Sequence, residues 1–207
     1  MSSSYVYFFI AIVPSIVLHE VSHGYVANLF GDSTAKDMHR LTLNPLRHID
    51  PFGTILLPAI MIYSGLPGIG YAKPVPVNIS RLHNPRKQSL YVSLAGPLVN
   101  VVLSFVGWVL CEVAIHLANS VFLYNVGLYL GLVNLFLAVF NMIPIPPLDG
   151  SAIIERFIPN HKLPSYYRFR ALALPLVFAL FIIDNMFFHV RGDIFASLSN
   201  WWQSLLF

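Results

Sequence analysis

Two histidines four residues apart bracket an acid in His19-Glu20-Val21-Ser22-His23. On a helix, positions i and i+4 share one face about a turn apart, so both imidazoles can reach a single metal ion. Glu20 then sits beside that ion without being forced to ligate it. This H-E-x-x-H spacing suits Zn²⁺, with Glu20 as the general base that takes a proton from a zinc-activated water. Ser22 lies between the histidines, but no base with an orienting partner accompanies it, so serine nucleophile chemistry is disfavoured. A catalytic zinc needs a third protein ligand and an open position. Asp149 is the candidate, at the end of Asn141-Met142-Ile143-Pro144-Ile145-Pro146-Pro147-Leu148-Asp149-Gly150. Three prolines within four residues cannot continue a helix, and Gly150 permits a sharp turn that would aim the carboxylate inward. The competing reading has Asp149 capping the segment Ser151 to Phe157. The other histidines suit solvated or interfacial roles better: His39, His48, His83 and His161 fall in basic segments, His116 and His189 near the ends of apolar stretches.

These groups lie in an unusually apolar chain. Of 207 residues, 57% are hydrophobic and 10% charged, and the mean hydropathy is +0.69. A water-soluble domain carries about a quarter charged residues, so the composition indicates an all-α polytopic membrane protein, one domain over residues 1–207. The net charge of +3 does not indicate nucleic acid, because no basic run exceeds two residues. A single cysteine, Cys111, excludes an intramolecular disulfide. The apolar N-terminus has neither a preceding basic region nor a small-residue cleavage site, so no removed signal peptide is expected.

Four stretches approach the roughly 20 residues a span needs: Tyr5 to Phe30, Ser89 to about Leu117, Val121 to Leu148, and Ala171 to about Val190. A fifth, within residues 51–65, is short and bracketed by Pro and Gly, and reads as re-entrant. Residues 31–88 then share one side, with Lys36, Arg40, Arg47, Lys73, Arg81, Arg86 and Lys87. Arg156, Lys162, Arg168 and Arg170 return to it, so only Arg191 of the twelve basic residues lies opposite. The positive-inside rule makes loops 31–88 and 149–170 cytoplasmic and the N-terminus external. The tail 194–207, with Trp201 and Trp202, is expected along the outer interface. Each ionisable group inside a span costs about 2.5–3.5 kcal/mol on insertion scales, which marks His19, Glu20 and His23 as functional. This topology also puts Asp149 at their depth. Glu112 and His116, at i and i+4, read as an interfacial pair. Asp184 in the fourth stretch is expected to face helices or water.

Residues 69–79, Ile69-Gly70-Tyr71-Ala72-Lys73-Pro74-Val75-Pro76-Val77-Asn78-Ile79, combine β-forming types with prolines of one parity. Such a pattern favours an edge strand whose proline side is unpaired. An extended substrate could add to it, which makes Tyr71, Lys73, Val75 and Val77 substrate-edge candidates. A surface loop is the alternative.

The two metal motifs together resemble the site-2 protease family, peptidase family M50, zinc metalloproteases that cut within membranes. Supporting stretches are Leu41-Thr42-Leu43-Asn44-Pro45 with His48-Ile49-Asp50-Pro51, then Gly70 to Asn78, and Ala95-Gly96-Pro97-Leu98-Val99-Asn100. Their order matches compact prokaryotic members without a PDZ domain, whereas the last fifty residues carry no matching signature. The resemblance implies one zinc held by His19, His23 and Asp149, Glu20 as base, and Asn100 and Asn141 as polar helpers near the scissile carbonyl. Hydrogen bonding across helices is an equally good role for both asparagines. It further implies a transmembrane protein substrate, a bacterial cell membrane and release of a membrane-tethered regulator. A membrane zinc transporter is the alternative of a different class, but transporters usually show internal repeats and paired broken helices. Here the second metal motif does not repeat the first, and Glu20 between the ligands fits hydrolysis better. A non-catalytic scaffold would not need both ligands and base.

Overall fold

The computed structural model describes residues 3–64, 70–183 and 190–206. Helix α1 is Ser3–Leu29, followed by the short α2, Thr34–Asp37. A 3₁₀ turn at Pro45–His48 and a π turn at Pro51–Leu56 lead into α3, Leu57–Tyr63. After an extended stretch at 70–78 come α4, Pro85–Val113, and α5, Val121–Asn141. The chain continues through α6, Ser151–Phe157, α7, Leu163–Ile183, and α8, Val190–Gln203.

Among the described residues, three helical segments are long and apolar enough to cross a membrane: Ser4–Leu29, Pro85–Ala118 and Val121–Asn141. The expected fourth span overlaps α7 but includes residues 184–189, so Asp184 and His189 lie outside the described residues, as do 65–69 between α3 and the extended stretch. The third span is shorter than its apolar stretch: α5 stops at Asn141, before the first proline. Local chemistry sets the other helix ends. Asn84 Oδ1 accepts from Lys87 N–H ahead of Pro85 at the start of α4, and Ser120 Oγ accepts from Leu123 N–H at the start of α5.

Helices α1, α4 and α5 form the central body. Their packing inverts the soluble pattern: Phe9, Leu98, Val101 and Phe105 face outward, while Ser15, Asn100, Ser104 and Asn134 are buried. Lipid supplies no hydrophobic drive between helices, so small residues and interhelical hydrogen bonds hold them. Gly107 lies against the backbone of Gly127 and Gly131, bringing α4 and α5 close.

The tail packs onto the central body through one of its two tryptophans. Trp201 is exposed, but Trp202 is buried, its ring over Gly131 and its Nε1 donating to Ser104 Oγ at 3.1 Å. The missing side chain at 131 leaves a slot for the indole, and Ser104 satisfies the N–H that burial would otherwise strand.

Asp32 ties the loop after α1 to the extended stretch. It is fully buried, accepting from Thr34 N–H and Oγ1 at 3.0 and 2.5 Å and from Asn78 N–H at 2.6 Å. Burial pushes its carboxyl up, but the bonds from Thr34 and Asn78 and the nearby Arg81 charge outweigh that and hold it below the usual carboxylate range. A depressed folded value means stability present above the unfolded pKa, near 4, and lost as pH falls through the folded one. Asp32→Asn should therefore lower thermal stability at neutral pH, by about 1–3 kcal/mol, and flatten the acid limb below pH ~4. Melting in detergent from pH 7 to 3 checks this; an unchanged acid limb would refute it.

Candidate metal centre and active site

One turn of α1 places His19 and His23 side by side, their Nε2 atoms 3.1 Å apart. Asp149 meets them from the loop after α5, Oδ2 lying 3.1 Å from His19 Nε2 and Oδ1 3.4 Å from His23 Nε2. Ligand atoms of all three lie within 4.8 Å of one another, the one such group among the described residues. His23 Nδ1 lies 2.7 Å from the Val92 carbonyl, which can only accept, so Nδ1 carries the proton and Nε2 a lone pair. His19 Nδ1 lies 2.5 Å from Asn100 Oδ1. Asp149 Oδ2 is buried without a hydrogen-bond donor. With both rings neutral and their protons on Nδ1, two lone pairs and a carboxylate converge, an arrangement that a cation relieves. Two donors at zinc's usual 2.0–2.1 Å on a tetrahedral ion sit about 3.3 Å apart, close to the observed spacings. The residues fit Zn²⁺.

Backbone features on both sides of the cluster make room for it. Beyond Asn141 the proline run forms a turn closed by Gly150 N–H donating to the Asn141 carbonyl at 2.7 Å. The reason for Gly150 differs from the expected turn freedom: its φ of −58° is ordinary α, but a Cβ there would strike the Met142 carbonyl. Asp149 does not cap α6. Gly150 occupies the N-cap with no side-chain bond, and the carboxylate faces the histidines instead. Across the cluster, Gly96 of α4 lies where a Cβ would collide with both imidazole rings.

Glu20 joins His19, His23 and Asp149 in the wall of a cavity of about 680 Å³. Its Oε2 accepts from Val75 N–H at 2.9 Å. The stretch 70–78 is extended but is assigned to no strand among the described residues. Three of its odd-numbered amides bond to the body behind it: Tyr71 to Gly53 O at 3.0 Å, Lys73 to His48 O at 2.9 Å, and Val75 to Glu20. The even-numbered side has Pro74 and Pro76, which have no amide proton, and Ala72. Residues of both parities line the cavity: Gly70, Ala72 and Pro74, and also Tyr71, Val75 and Val77 of the expected substrate edge. Glu155 of α6 and Arg170 of α7 line it too, paired at 3.3 Å.

The sequence matches peptidase family M50 over residues 7–121 and 112–183. The chain belongs to peptidase family M50. It is a membrane zinc metalloprotease, with zinc as the metal that the cluster fits. YwhC of Bacillus subtilis, provisionally named a zinc metalloprotease, is 42% identical over 160 residues, 74% of this chain and 69% of YwhC. Rip2 of Mycolicibacterium smegmatis, named likewise, is 35% identical over 156 residues, 73% of this chain and 59% of Rip2. MJ0392 of Methanocaldococcus jannaschii, named a zinc metalloprotease, is 27% identical over 151 residues, 72% of this chain and 34% of that protein. No solved structure matches the chain.

Within this M50 chain, the remaining site candidates fall into distinct places. Asn141 lines the cavity, its Nδ2 donating to Leu137 O at 3.0 Å. Asn100 touches the cluster through His19. His48, expected to be solvated, is buried: its Nε2 lies 2.9 Å from Thr42 O and its carbonyl backs the stretch at Lys73. The reason is that residues 48–53 form the inner support of that stretch. Glu112 and His116 pair at 3.3 Å, apart from the cavity. Asn134 and Ser15 are absent from the sequence-based site candidates, and Gly96 enters only within the Ala95–Asn100 stretch. An asparagine amid the apolar run of α5 was a signal for Asn134, since a polar side chain there needs a partner.

Proposed function

We propose that this M50 protein hydrolyses peptide bonds in or near transmembrane segments of membrane-protein substrates, with Glu20 as general base. The observation that carries this is Glu20 standing beside a three-donor metal cluster in a cavity lined by residues of the stretch 70–78. Bound Zn²⁺ supplies Lewis acidity, polarising the scissile carbonyl and acidifying an attacking water. His19, His23 and Asp149 would hold it. The Val75 amide fixes one oxygen of Glu20 and leaves the other to take the proton and later pass it to the leaving amine. Asn141 in the cavity wall is placed to meet the substrate backbone.

A substrate helix must unwind before it can be cut, and its freed backbone groups need partners at membrane depth. We assign that role to the stretch 70–78. The inward bonds of Tyr71, Lys73 and Val75 anchor it, so the edge left for strand addition is the even-numbered one, Ala72, Pro74 and Pro76. Photoreactive residues scanned through 71–78 should crosslink to a bound transmembrane substrate. Crosslinks to lipid alone would sink this assignment.

Four spans, a re-entrant segment at 51–65, an external N-terminus and cytoplasmic basic loops complete the proposal, supported by the charge distribution. The bacterial cell membrane is the proposed location. Membrane stubs that accumulate in Glu20→Gln cells, compared with wild type by proteomics, would identify the substrate. Zinc flux in proteoliposomes that is independent of Glu20 would instead favour transport.

A further inference from the structure

A hydrogen-bond chain runs from the metal cluster through three helices. His19 Nδ1 meets Asn100 Oδ1 at 2.5 Å, Asn100 Nδ2 donates to Asn134 Oδ1 at 2.9 Å, and Asn134 Nδ2 donates to Ser15 Oγ at 2.7 Å. Ser15 Oγ in turn donates to the Ala11 carbonyl at 2.7 Å. Asn100, Asn134 and Ser15 are all fully buried. None of the three groups can be satisfied by solvent, so each must take its partner's leftover donor or acceptor.

The direction of this chain is set at its far end. Asn134 Nδ2 also donates to the Leu130 carbonyl at 2.8 Å, and carbonyls only accept. Flipping the Asn134 amide would set its oxygen against the Leu130 oxygen. Asn134 therefore presents Oδ1 to Asn100, which commits Asn100 Nδ2 to that bond and leaves Asn100 Oδ1 facing His19. An oxygen there requires the proton on His19 Nδ1 and leaves the lone pair on Nε2, the atom aimed at the metal. Were Asn100 flipped, its NH₂ would face Nδ1 and drive the imidazole proton to Nε2, closing that ligand position.

We infer that Asn134 and Ser15 are positioning residues of the metal centre, acting through Asn100 to hold His19 in its ligating tautomer. The inference rests on the metal-centre reading above and extends it to residues that touch neither metal nor substrate. Outer partners of this kind tune metal affinity, typically by 10–100-fold.

The test uses the full-length protein in detergent, stripped of metal. Zn²⁺ is titrated against a chromophoric chelator, and Co²⁺ is added to read ligand geometry from its visible absorption. Asn134→Ala should weaken zinc binding about 10–100-fold and alter the Co²⁺ bands. Ser15→Ala should weaken binding in the same direction and less, because Asn134 keeps its Leu130 bond, and Ser15→Thr, which restores the hydroxyl, should recover it. Asn134→Ala with wild-type zinc affinity and an unchanged Co²⁺ spectrum would overturn the inference, even if its melting temperature fell, since that is a purely structural role. If Asn134→Ala does not fold, the serine pair decides: equal affinities for Ser15→Ala, Ser15→Thr and wild type overturn it. His19→Ala separates the two readings. Undiminished zinc affinity in that variant overturns the metal centre and this inference together, whereas His19-dependent binding that ignores Asn134 and Ser15 overturns this inference alone.

Discussion

Glu20→Gln should abolish peptide cleavage while leaving zinc bound. Gln matches Glu in size, and its side-chain oxygen can still accept from Val75 N–H, so the cavity wall is preserved. What disappears is the carboxylate that accepts a proton, and general-base catalysis contributes about 10²–10⁴ in rate. Glu20 is not among the three residues whose donor atoms cluster, so metal content should stay near that of wild type. Purified protein in proteoliposomes with a transmembrane substrate gives the rate, and elemental analysis gives zinc per chain. Unaltered cleavage would refute the base assignment. Loss of zinc would instead make Glu20 a ligand.

Gly96→Ala should empty the metal centre with a single methyl group. A Cβ at this position falls 2.5 Å from His23 Nε2 and 2.6 Å from His19 Nε2, well inside van der Waals contact. Neither ring is free to swing away, because Asn100 holds His19 Nδ1 and the Val92 carbonyl holds His23 Nδ1. The rings can escape only by giving up those bonds or the shared ligand geometry. Zinc affinity should fall by at least roughly the 10–100-fold seen when outer partners are lost, and cleavage with it. Overpacking of this kind costs about 1–3 kcal/mol, so melting is measured beside zinc content. Full zinc occupancy in Gly96→Ala would refute the packing argument.

The two variants probe knowledge of different origin. His19, Glu20 and His23 are legible along the chain because an i, i+4 pair shares a helix face wherever the helix lies. The end of α5 is legible for a similarly local reason: proline cannot continue the ladder, and the helix stops at Asn141. The apolar spans follow from composition.

Asp149 was a choice between two local roles, ligand or cap, and sequence could not decide it. The fold does, by giving the α6 N-cap to Gly150 and turning the carboxylate toward α1. In sequence Gly96 belongs only to the Ala95–Asn100 stretch of the family resemblance, with no role of its own; the fold puts the imidazole rings where its side chain would be. Trp202 suited an interface by type, yet Gly131 and Ser104 receive it between α4 and α5.

By itself, then, the sequence determined the chemistry and the elements that carry it, because metal-ligand spacing, helix periodicity and proline geometry act over a few residues. Only the tertiary structure decided which polar groups serve one another. The bonds from His19 to Asn100, Asn100 to Asn134 and Asn134 to Ser15 join positions 81, 34 and 119 residues apart. A buried donor takes whichever acceptor the packed helices bring within reach, and no periodicity along the chain encodes that choice.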